Sequence, residues 1–85
     1  MNSAAIQYYN HKFGEDKNSA FIHLVREIGE IAFGLEKSNT ELVKMEITES
    51  IALLQFLASK YNFDVESNID VIYSKKLEGQ KSSKS

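Results

Sequence analysis

Two segments carry paired carboxylates at one-turn spacing. Glu27 and Glu30 lie in Leu24-Val25-Arg26-Glu27-Ile28-Gly29-Glu30-Ile31, and Glu46 and Glu49 in Val43-Lys44-Met45-Glu46-Ile47-Thr48-Glu49-Ser50-Ile51. Residues three apart on a helix share a face, so each segment offers two carboxylates to one neighbour. Their placement is symmetric: Glu27 and Glu49 lie eleven positions from Ser38, and Glu30 and Glu46 lie eight. A helical hairpin turning near Ser38 therefore predicts four carboxylates level with one another. Such a group is costly unless something positive joins it. Lys and Arg are poorly supplied on these faces, since Arg26 lies well round from Glu27 and Lys44 belongs to the solvent side. A hard divalent cation with oxygen ligands fits better, Mg²⁺ first and Mn²⁺ as its substitute. A di-iron carboxylate site ranks well below, because it uses Glu-x-x-His pairs and no His follows either leading Glu at the third position.

Positioning these side chains needs helices, and the chain reads as helical throughout. It contains no Pro, and no stretch shows the two-residue alternation of a half-buried strand. Ser3 is a suitable cap for a first helix running to about Lys12 and stopped by Gly14. Asn18 or Ser19 caps a second that ends near Lys37. The third spans about Glu41 to Lys60. Asp64 caps a fourth bearing Val65, Ile69, Ile72 and Leu77, which Gly79 ends. On a wheel of 100° per residue, the second helix puts Leu24, Ile28, Ile31, Ala32 and Leu35 on one sector, with His23, Glu27, Glu30 and Gly34 in a neighbouring stripe. The third has its polar face in Glu41, Lys44, Thr48, Gln55 and Ser59. Glu46 and Glu49 fall on its other side, among Leu42, Leu53, Phe56 and Leu57.

A single Glu-x-x-Glu is common on solvated helix faces; two mirrored pairs, one of them in apolar company, are not. The other features have plainer readings. His23, one turn before Glu27, borders the expected site and reads as an ordinary hydrogen-bonding side chain. Tyr8, Tyr9, Phe13, Phe33 and Phe56 could include a base-stacking ring but fit a small helical core better. Lys75 and Lys76, near the expected end of the fourth helix, favour the helix dipole or grip phosphate.

The 85 residues, 42% hydrophobic, make one domain over residues 1–79, followed by a polar tail, 80–85, expected to be mobile. A core this small often leans on a partner or a metal, and with no Cys no disulfide can serve. The formal charge of -2 and pI near 5.6 give no basic footprint for nucleic acid. No signal-peptide pattern or membrane-length apolar run is seen, so the expected setting is cytoplasmic, with no membrane partner.

The order Arg26-Glu27-Ile28-Gly29-Glu30 followed by Glu46-Ile47-Thr48-Glu49 resembles the motif Glu-Glu-x-x-Glu, spacer, Glu-x-x-Asp of the MazG-type, all-α nucleoside triphosphate pyrophosphohydrolase superfamily. The similarity extends from about Phe21 to Leu77. It implies an all-α, four-helix MazG-like bundle completed by oligomerisation as a homodimer or homotetramer. It also implies Mg²⁺ held by Glu27, Glu30, Glu46 and Glu49, with Glu27 and Glu30 in the catalytic set. The substrate is then a nucleotide, cleaved between its α and β phosphates, with Lys75, Lys76 and Arg26 as candidate phosphate contacts. Two positions depart from the motif: Arg26 stands for its leading Glu, and Glu49 for its final Asp. Arg stays protonated and cannot act as a base, which admits a second reading as a non-catalytic nucleotide- or metal-binding regulatory subunit. A phosphoribosyl-ATP pyrophosphohydrolase-like enzyme is a related alternative, and a helical assembly module with incidental carboxylates is a third class.

Overall fold

A computed structural model describes residues 2–83. Four helices follow in order: α1 (Ser3–Phe13), α2 (Lys17–Glu36), α3 (Thr40–Ser59) and α4 (Val65–Ser83). No strand occurs among the described residues, so the all-α reading holds. The caps fall slightly earlier than expected. Asn2, not Ser3, accepts a bond from the Ala5 N–H at 3.0 Å, and Asp16, not Asn18 or Ser19, accepts from the Ser19 N–H at 3.0 Å and its hydroxyl at 2.7 Å. In each case a short acceptor side chain three residues upstream reaches an orphan helix amide. Those bonds hold the Asp16 carboxyl below its ordinary range, the side-chain bond from Ser19 contributing most. Gly14 stops α1 with φ +57°, and Asp64 accepts from the Ser67 N–H at the start of α4, both as the sequence predicts.

The α2–α3 turn is compact because Ser38 and Asn39 serve both helices. Ser38 takes φ +55°. Its N–H donates to Leu35 O, and the Asn39 N–H donates to Gly34 O at 2.8 Å, the paired bonds that close a helix through a left-handed residue. The Asn39 side chain then accepts from the Leu42 N–H. Helix α3 therefore starts immediately and runs back along α2. Gly34 lets the helices approach closely, since a Cβ there would sit 2.8 Å from Val43 Cγ2.

Helix α1 lies across this hairpin. Tyr9, Ala20, Leu24, Leu53 and Phe56 form the buried core, with Phe13, Ala52 and Leu57 packed against it. The rings of Tyr9 and Phe13 lie 6.0 and 6.2 Å from that of Phe56, so these aromatics are structural, whereas Tyr8 and Phe33 are exposed. Lys60 ties the layers at their edge, donating to Asn10 Oδ1 at 2.7 Å and pairing with Glu15 at 3.3 Å.

The structure departs from the sequence reading in two points of packing and one of helix length. The apolar sector expected on α2 is divided: Leu24 is buried and Ile31 half-buried, but Ile28, Ala32 and Leu35 are exposed. The core meets the side of α2 that carries Ala20, Leu24, Glu27 and Gly34. Among the described residues, helix α4 is not packed along any other helix; the expected four-helix bundle is there, within one chain, a three-helix unit with an outlying fourth helix. That helix also passes the stop expected at Gly79 and continues to Ser83. A glycine ends a helix by turning left-handed, and Gly79 does not. Of the tail, residues 80–83 are helical, and Lys84 and Ser85 lie outside the described residues. No helix among the described residues is long and apolar enough to cross a membrane.

Candidate metal centre

Glu27 comes from the middle of α2, and Glu46 and Glu49 from one face of α3. The antiparallel hairpin brings one carboxylate oxygen of each within 4.8 Å of the others. Glu46 is the most enclosed, 9% exposed. Its Oε2 is buried without a hydrogen-bond partner, as is the hydroxyl oxygen of Ser50 one turn further along α3. Removal from water raises the Glu46 pKa above 4.5, and the neighbouring charge of Glu49 and a hydrogen bond to it add to the rise. Tyr9 of α1 stands over the same acids. Its phenol is held above its ordinary value, first by burial and then by the charge of Glu49.

Glu27 is oriented from its own helix: His23 Nε2 lies 3.2 Å from Glu27 Oε1, and the His23 ring meets Phe13 edge-on at 5.7 Å. Helix α1 thus steadies His23, which in turn steadies Glu27. No Lys or Arg among the described residues comes within ion-pairing distance of the three glutamates. The donor set is all oxygen and acidic, and its innermost atom is unsatisfied. These properties fit a hard divalent cation, which Glu27, Glu46 and Glu49 together could hold.

Not every expected site residue joins them. Glu30 is exposed and outside the convergent group. Equal sequence distance from Ser38 does not make equal depth, because Glu30 is turned further from the core side of α2 than Glu27. Arg26 is exposed too and borders a hollow with Phe13, Ser19, Ile22 and His23. Lys75 and Lys76 sit on the outlying α4, well before the last turn, whose basic residue is Lys81. Lys76 Nζ lies 5.0 Å from the Tyr73 ring centre. Residue spacing flagged neither Ser50 nor Tyr9 as a site neighbour. Ser50 was detectable as the residue four beyond Glu46, whereas Tyr9 depends on how α1 crosses the hairpin.

No protein-family model, curated protein or solved structure matches the chain.

Proposed function

We propose that this chain is a Mg²⁺-dependent nucleotide pyrophosphohydrolase that releases a nucleoside monophosphate and pyrophosphate. The observation carrying the proposal is the convergence of Glu27, Glu46 and Glu49 around a buried, unpartnered Glu46 oxygen. The motif resemblance supplies the reaction class. Glu27, Glu46 and Glu49 hold the ion. When bound, Mg²⁺ neutralises phosphate charge and acidifies water. Glu30, at the solvent edge, is available to a substrate or to its water shell, and Arg26 offers a fixed positive charge for a phosphate. Lys75 and Lys76 contribute only where α4 of another copy reaches the site, in keeping with the proposed homodimer or homotetramer.

Pyrophosphate release from a panel of ordinary, deoxy and modified nucleoside triphosphates tests this reading. Release that requires Mg²⁺ or Mn²⁺ and is lost in Glu46→Gln is the expected result; a silent panel at high protein concentration sinks the enzyme. Two observations favour a second reading: Arg26 stands where the motif has its leading acid, and Glu30 stands apart from the cluster. A metal- and nucleotide-binding subunit without turnover would leave the panel silent while Mg²⁺ still raised the melting temperature.

A further inference from the structure

Hydroxyls inside a helix ordinarily bond back to a carbonyl of the preceding turn. On α3 Thr48 does so, donating to Lys44 O at 2.8 Å, and Ser59 donates to Phe56 O at 2.6 Å. Ser50 departs from that pattern. It is 7% exposed, and its buried Oγ has no hydrogen-bond partner among the described residues. Such an oxygen is a cost to the folded chain, and alanine at the same place would not carry it.

The register of the hairpin sets Ser50 beside the carboxylates. A Cβ at Gly34 would meet Val43, so these two residues oppose each other. Glu27 lies seven residues before Gly34 and Ser50 seven after Val43, about two turns along each helix. Ser50 is therefore level with Glu27. The same register sets Leu24 level with Leu53, and both belong to the buried core. On its own helix Ser50 stands one turn beyond Glu46, on the same face. It thus lies at the core end of the carboxylate group, where Glu46 Oε2 is the other buried oxygen without a partner.

We propose that Ser50 is a positioning residue of the metal centre, its hydroxyl holding one of the cation's waters beside Glu46. The proposal rests on the reading of Glu27, Glu46 and Glu49 as cation ligands, and not on hydrolysis. Mg²⁺ usually keeps several waters, and a water on the core side of the site has no bulk solvent to bond to. It needs partners fixed in the protein. Ser50 Oγ can accept from that water while its O–H donates to a carboxylate, and Glu46 Oε2 is a second acceptor. A neutral hydroxyl suits this place better than a fourth acid, because three carboxylates already exceed the charge of a divalent ion. Partners of this outer kind orient the ligands and typically change metal affinity by about 10–100-fold.

Calorimetric titration of Mg²⁺ and Mn²⁺ into the parent chain and Ser50→Ala, with thermal melts in chelator, tests the proposal. The variant should bind Mg²⁺ about 10–100-fold more weakly. Its metal-free melting temperature should stay level or rise, since alanine removes an unpartnered oxygen and favours the helix. A hydroxyl that served only the fold would give the reverse pattern, a lower metal-free melting temperature with affinity kept. Thr48→Ala removes a hydroxyl satisfied within its own helix and should leave the affinity unchanged; equal losses in the two variants overturn the proposal. Ser50→Cys refills the volume with a weakly bonding thiol, should bind Mg²⁺ as poorly as Ser50→Ala, and stands in for it should the alanine chain not fold. Parent-like affinity in either Ser50 variant overturns the proposal and leaves the three carboxylates as ligands: in Ser50→Ala the hydroxyl is dispensable, and in Ser50→Cys only volume matters. A parent chain that binds neither ion removes the metal centre itself, and the proposal with it.

Discussion

Glu46 concentrates the chemistry at the scale of single residues. Its carboxyl is raised above 4.5 by loss of water and by Glu49, so the folded chain holds a proton that the unfolded chain releases. The linkage sign follows: the metal-free fold is favoured below the ordinary Glu range and loses stability as pH rises from 4.5 through the raised value. Thermal melts against pH, with chelator present, should show that decline. Glu46→Gln keeps the shape and removes the charge, so the variant should melt higher than the parent at neutral pH without metal. Mg²⁺ should raise the melting temperature of the parent and leave that of Glu46→Gln unchanged. An undiminished Mg²⁺ response in the variant rejects Glu46 as a ligand. Asp16 has the opposite sign. Its lowered pKa stabilises the fold above 3.8, and this contribution is lost as pH falls through the depressed value.

The hairpin is the element that brings the three carboxylates together, and at Gly34 its helices approach closely. Alanine there improves helix propensity by about 1 kcal/mol but drives a methyl to 2.8 Å from Val43 Cγ2, on a stiff β-branched side chain. Overpacking costs typically about 1–3 kcal/mol, so the net effect should be a lower melting temperature, and by spreading the helices it should also weaken the Mg²⁺ response. Val43→Ala in the same chain should recover part of both losses; no recovery means that the contact is not the cause. Phe56 tests the other layer. This α3 side chain is fully buried against Tyr9 and Phe13 of α1, and Phe56→Ala should cost about 3–5 kcal/mol. Small domains hold only about 0.05–0.15 kcal/mol per residue, so urea titration should find this variant largely unfolded or close to it.

The whole molecule is thin. Its extents are 50 × 37 × 21 Å, the shortest equal to about two helix diameters. The radius of gyration is 15.9 Å, against roughly 12 Å for a compact chain of this length. Helix α4, which packs along no other described helix, and the exposed apolar face of the α2–α3 hairpin, with Val25, Ile28, Ile47, Ile51 and Leu54, both contribute. If two copies share that face, unfolding is coupled to dissociation, and the melting temperature should rise with protein concentration. Calorimetry over a wide dilution series measures this directly. A constant melting temperature would mean that the isolated chain carries its own stability, despite the small buried core of Tyr9, Ala20, Leu24, Leu53 and Phe56.

Much of the local structure was legible in the residues because its causes are local. Gly14 and Asp64 act within a turn of their positions, and the absence of Pro with three- and four-residue apolar spacing specifies helices. The inward turn of Glu46 and Glu49 could also be read, since Leu42, Leu53, Phe56 and Leu57 mark the same sector of α3. Depth could not. Glu27 and Glu30 share a stripe on the wheel, yet only Glu27 reaches the cluster, because the line along which α2 meets α3 is set by Gly34 and Val43 and by α1 crossing above. The same limit applies to Ile28 and Leu35, apolar in sequence but open in the chain. Periodicity identifies an apolar face; whether this chain or another copy covers it depends on how many helices the fold can bring to that side, and here α1 is spent on the opposite one.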